Sequence, residues 1–122
     1  MISVFFISIF VLIDQITKFI SLSIFRNYNF AFSLPVPVWI MYIIYTAVLF
    51  FVLKYVVQNF IRFGILELLS WILILAGAFS NIFERIFLGY VRDWIYIFSG
   101  VFNLADIYII FAVIYLLVQN KK

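Results

Sequence analysis

Four long apolar runs, separated by short polar punctuation, leave this chain few ways to fold. They cover about residues 1–25, 36–57, 64–83 and 101–118. At about 1.5 Å rise per residue, each can cross a hydrocarbon core about 30 Å thick. The first run carries Asp14 and Lys18 but has neither a basic leader nor a small-residue cleavage site, so it reads as a span and not as a removable signal. Pro35 and Pro37 precede the second, where a helix start tolerates proline. Of the 122 residues, 69% are hydrophobic and 11% charged. A soluble domain shows about half apolar and a quarter charged residues, so lipid is the solvent that fits. The expectation is an all-α membrane protein. It has four transmembrane helices, a single membrane-embedded domain over residues 1–122, and a small extracytoplasmic turn/β region.

The positive balance, +3 overall, does not point to nucleic acid. Its basic residues are scattered and form no stripe that could track phosphates. They read as anchors at the membrane faces. An even number of spans puts both termini on one side with the 54–63 connection. That side carries Lys54, Arg62, Lys121 and Lys122, against Arg26, Arg85 and Arg92 on the other, which favours cytoplasmic termini. Cysteine and histidine are absent, which excludes disulfides, thiol nucleophiles and Ser-His-Asp catalysis. Carboxylates without histidine make a poor transition-metal site, so no metal or cofactor is expected.

The acids are therefore where chemistry has to lie: Asp14, Glu67, Glu84, Asp93 and Asp106. Ionisable groups within apolar spans are costly and are functional candidates by default. Asp14 and Lys18 lie one turn apart on a helix face and pair favourably, either as a structural ion pair or as part of a substrate site. Asn81 precedes Glu84 by three residues, and Asn103 precedes Asp106 by the same interval. On a helix that spacing puts an amide and a carboxyl on one face. The two units end the third run and begin the fourth, so they lie at the same membrane face. Two carboxyls close together in a poorly solvated place tend to share one proton. One can then act as base on water while the other polarises a carbonyl. The bland alternative is that Glu84 and Asp106 cap helices or pair with Arg85 and Arg92. Asn27, Asn29 and Ser33 mark a turn, and Glu67 reads as an interfacial charge.

Taken in order, these segments resemble the bacterial signal peptidase II (lipoprotein signal peptidase) family. Asp14-Gln15-Ile16-Thr17-Lys18 is similar to its Asp-Gln-x-Thr-Lys segment, and Asn27 to Ser33 to its Asn-x-Gly-x-x-Phe-Ser segment. Gly77 to Arg85 resembles Gly-Ala-x-x-Asn-x-x-Asp-Arg, and Phe102-Asn103-Leu104-Ala105-Asp106 resembles Phe-Asn-x-Ala-Asp. The resemblance implies an aspartic endopeptidase of the bacterial inner membrane. It would remove signal peptides from prolipoproteins in front of a diacylglyceryl-modified cysteine. It would be a monomer among membrane lipids, with its site near the periplasmic face. The resemblance puts the catalytic dyad on Glu84 and Asp106, with Asp14, Lys18, Asn27, Asn81, Arg85 and Asn103 as supporting residues. Two positions depart from the family pattern: Asn29 stands for a glycine, and Glu84 for the first catalytic aspartate. Asp93 falls on another acidic position of the family. Two other functions compete: a catalytically impaired relative that still binds prolipoproteins, and a small four-helix exporter coupled to protons through Asp14.

Overall fold

In lipid, a spanning segment has to satisfy its backbone polar groups internally, and each apolar run accordingly folds as a helix. The computed structural model describes residues 1–29 and 34–120. Its helices are α1 (Ile2–Ile20), α2 (Val38–Asn59, continued by a 3-10 turn over Phe60–Arg62), α3 (Ile65–Leu88) and α4 (Leu104–Gln119). The first three are long and apolar enough to cross a membrane, and α4 is a shorter apolar helix of 16 residues. Ser33 and Lys121–Lys122 lie outside the described residues.

Three boundaries differ from the sequence reading, each because a short strand or a cap intervenes. The first helix stops at Ile20, since Phe25–Asn27 forms β1. The third continues past residue 83, so Glu84 and Arg85 are helical. It ends at Gly89, whose φ of 79° favours a residue without a side chain and whose N–H returns to the Arg85 carbonyl at 3.1 Å. The fourth begins at Leu104, after β4 (Gly100–Phe102). Strand β1 pairs antiparallel with β2 (Val91–Asp93), setting Phe25 opposite Asp93 and Asn27 opposite Val91. Strand β3 (Ile95–Ile97) pairs with β4 in a tight hairpin. These ribbons are the expected turn/β region.

Packing centres on α3, which lies along α4 and α1, while α2 leans on it more lightly. The closest approach is at Gly77, where an added Cβ would lie 2.6 Å from the Ala105 carbonyl oxygen and 2.8 Å from Ile109 Cγ1. Leu104, the first residue of α4, is thus level with the middle of α3. From Gly77 to Leu88, α3 projects past that level by about 16 Å. Large apolar side chains such as Phe5, Phe51 and Phe87 cover the outside, whereas the most deeply buried large side chains include Lys18, Glu84, Asn103, Asp14 and Asp93. The bundle has an apolar exterior and a polar centre.

Gly77→Val should lower the unfolding free energy in detergent by about 1–3 kcal/mol, the usual penalty for overpacking. A melting temperature equal to that of the unmodified protein would contradict this helix contact.

Candidate active site

The buried polar residues fall into two groups, distinguished by whether a cation meets the carboxyl. In the first, the Lys18 ammonium has three acceptors for its three N–H bonds. These are Asp14 Oδ2 at 2.6 Å, Glu84 Oε2 at 3.2 Å and Asn81 Oδ1 at 3.2 Å. Asp14 also accepts from Ser80 Oγ at 2.5 Å and, through Oδ1, from the Ala105 backbone N–H at 2.8 Å. The first helix is thereby tied to α3 and to the N-terminus of α4, where a negative charge is favoured. Glu84 is held on both oxygens by Arg92, through Nε and Nη2 to Oε1 at 2.6 Å each and through the backbone N–H to Oε2 at 2.9 Å. Arg92 reaches on to Gln15 Oε1 at 2.9 Å, and Gln15 donates to Ser80 at 2.8 Å. A charge buried here is costly alone, but each member of this network is paired and hydrogen-bonded.

The second group is Asp93 and Asp106. Among the described residues neither forms a salt bridge; both are held by amides. Asp93 accepts from Asn103 Nδ2 at 2.7 Å and from Asn27 Nδ2 at 3.1 Å. Asp106 accepts from Asn81 Nδ2 at 2.9 Å and from the Asn103 backbone N–H at 3.0 Å. Asn103 belongs to both carboxyls: its Nδ2 donates to Asp93 while its Oδ1 accepts the Asp106 backbone N–H at 2.9 Å. It is the N-cap of α4, in a reciprocal capping box with Asp106. The cap that starts the helix therefore also positions the acids. Burial pushes the Asp93 carboxyl up to about 6, and the negative charge of Asp106 adds to the rise.

Both carboxyls line one cavity of about 270 Å³, together with Asn27, Asn81, Asn103 and Arg85. Below this polar end the walls are apolar, contributed by Val48, Leu49 and Val52 of α2 and by Ile74, Leu75, Ile109 and Ile110. Arg85 stacks its guanidinium over Tyr45 at 5.2 Å and donates from Nη2 to the Asn29 carbonyl at 3.1 Å. Its Nε has no hydrogen-bond partner among the described residues.

The structure does not bring Glu84 face to face with Asp106, as their spacing led us to expect. What links them is a chain through Lys18 and Asn81, and Glu84 does not line the cavity. The carboxyl that joins Asp106 there is Asp93. Asn27, Asn81, Arg85 and Asn103 also meet at this cavity, while Asp14 and Lys18 lie in the charged network behind it. Gln15, Ser80 and Arg92 are network members that the sequence reading did not single out. Asp93 was visible there but carries no helical spacing to Asp106. Its approach depends on β2 turning back after Gly89 to pair with β1, which no local pattern shows.

A family model described as signal peptidase (SPase) II matches residues 3–121. The lipoprotein signal peptidase of Fusobacterium nucleatum is 29% identical over 142 aligned positions, spanning 98% of this chain and 86% of that protein. That of Streptococcus agalactiae is 33% identical over 118 positions, spanning 90% and 76%. Two bacterial membrane enzymes solved by the in meso method, at 2.3 Å and 1.9 Å, share the fold with TM-scores of 0.78 and 0.76 at 22% identity. The matches span 96% and 98% of this chain and 85% and 92% of theirs.

Lys18→Met leaves Asp14 and Glu84 buried without their shared cation and should cost about 3–5 kcal/mol of stability. Denaturation in detergent, with the exposed Lys54→Met as control, measures it. Equal stability of the two variants would refute the role given to Lys18.

Proposed function

From the premise that this chain belongs to the signal peptidase II family of aspartic-type proteases, we propose that Asp93 and Asp106 are its catalytic pair. The chain is a lipoprotein signal peptidase, and its chemistry has to be done without histidine or cysteine. The observation that carries the assignment is the sorting of the acids. Asp14 and Glu84 are neutralised by Lys18 and Arg92, whereas Asp93 and Asp106 share one cavity and one asparagine and form no salt bridge among the described residues. Carboxyls so placed hold one proton between them.

The ionised member takes a proton from water as the water oxygen attacks the scissile carbonyl carbon, and the protonated member hydrogen-bonds to the carbonyl oxygen. On collapse the C–N bond breaks, the leaving nitrogen takes up a proton, and the pair returns to its one-proton state. Asn27, Asn81 and Asn103 fix the carboxyls, since amide N–H groups can only donate to them. Arg85 lines the cavity, its Nε has no partner among the described residues, and it is suited to hold substrate carbonyl oxygens. The apolar walls suit a signal peptide and the acyl chains of a diacylglyceryl-modified cysteine. We place the protein in the bacterial inner membrane as a monomer; the distribution of its basic residues favours cytoplasmic termini, with the cavity near the opposite face.

In this reading Glu84 is a structural anchor, not the displaced catalytic aspartate. The extra methylene at position 84 then gives no reason to expect an impaired enzyme. The exporter reading also loses its support, because Asp14 is buried against Lys18, Ser80 and the α4 backbone.

Asp93→Asn and Asp106→Asn should each cut cleavage of a diacylglyceryl-modified precursor in detergent by about 10²–10⁴-fold, the range for losing an acid–base group. Glu84→Gln should keep measurable cleavage per folded molecule. Full activity of Asp93→Asn would remove it from the mechanism. The pH profile of kcat/KM should be a bell. Its alkaline limb belongs to the pair and falls near the Asp93 value of about 6, where the shared proton is lost. Activity rising steadily through neutrality into alkaline pH would contradict a shared proton.

A further inference from the structure

The β3–β4 hairpin ends in a two-residue turn, with Ile97 opposite Gly100. Its first central residue is Phe98, with φ of 51°, alone among the described non-glycine residues in having a positive φ. Hairpin turns that need positive φ select Gly, Asn or Asp there, and a bulky side chain is strained. Phe98 is also fully exposed, at 106% of its reference area, so no contact within the chain offsets the strain. In water this residue is unfavourable on both counts.

Its surroundings indicate what could offset those costs. Residues 94–105 contain no Asp, Glu, Lys or Arg, and the hairpin also exposes Tyr96 and Ile97. The hairpin enters α4 two residues after Phe102, and the first turn of α4 lies against Gly77. Its root therefore lies just beyond the level of Gly77, beside the half of α3 that runs on to Leu88 and exposes Phe83, Ile86, Phe87 and Leu88. Those are membrane-facing residues of a spanning helix. On the neighbouring ribbon Arg26 stacks on Tyr90 at 5.3 Å, a cation placed for acidic headgroups.

We propose that the hairpin tip is a membrane anchor, with Phe98 inserted at the headgroup–acyl boundary of the leaflet beside the cavity. The anchored segment joins Asp93 to Asp106 and is tied to the connection between α1 and β1 by the Tyr96 hydroxyl, 3.2 Å from Ser23 Oγ. It would fix the hairpin relative to the bilayer from which the substrate arrives. The inference rests on the chain spanning a membrane and not on which acids are catalytic.

The chain lacks cysteine, so Phe98→Cys gives a single labelling site. Carrying an environment-sensitive nitrobenzoxadiazole label, the protein is reconstituted in phosphatidylethanolamine–phosphatidylglycerol vesicles. The expected result is a blue-shifted emission, quenched by lipids bearing a nitroxide near the headgroup and little affected by aqueous iodide. In parallel, Phe98→Asn should melt higher in detergent because the turn strain is relieved. It should also cleave precursor several-fold more slowly in vesicles than the unmodified protein, with a smaller difference in detergent. A label with water-like emission and iodide quenching would overturn the proposal. So would a label shielded only after precursor is added, which would make the tip a peptide-docking element.

Discussion

A lysine ammonium buried between three carboxyl and amide oxygens is the interaction on which the site depends. Lys18 is 1% exposed, and moving an isolated ion of this kind out of water costs several kcal/mol even after relaxation. That cost is offset by Asp14, Glu84 and Asn81, which surround it. The same contacts pin α1 to α3, and Asp14 carries the link on to the first turn of α4. In a membrane bundle, apolar packing between helices gains little over packing against lipid, so such polar ties specify which helix meets which. The ties also allocate charge: two acids receive the cations, and two are left to amides.

That division explains why a chain with so few acids can separate scaffold from chemistry. Glu84 clamps the backbone of Arg92, the neighbour of Asp93 in β2, to α3. Asn103 starts α4, holds Asp93 and fixes Asp106 at once. Glu84 thus grips β2 at Arg92, one residue away from the carboxyl that faces the cavity. A glutamate there lengthens the clamp without entering the cavity. The family resemblance and the geometry agree on the class of enzyme; the partner we propose for Asp106 is Asp93, where the resemblance led us to expect Glu84.

Much of the architecture was legible because its causes are local. The four apolar runs become helices through backbone hydrogen bonding within each segment, and the Asp14–Lys18 pair follows from one helical turn. The convergence of the Asn81 and Asn103 units follows from the antiparallel course of consecutive helices. What could not be read depends on contacts distant in sequence. The pairing of β1 with β2, separated by more than sixty residues, is what swings Asp93 into place. The continuation of α3 to Leu88 turned Glu84 from a residue at the start of a connection into a helical one facing Lys18. A spacing rule sees amide and acid on one face, but it does not say which cation lies opposite.

The central claim is a proton shared by Asp93 and Asp106. Infrared difference spectroscopy at mildly acidic pH reads this directly, through the carbonyl stretch of a protonated carboxyl and its shift in deuterium oxide. The account predicts one such band in the unmodified protein, abolished or displaced by Asp93→Asn and by Asp106→Asn and retained in Glu84→Gln. A band that vanishes with Glu84→Gln and is untouched by Asp93→Asn would contradict it.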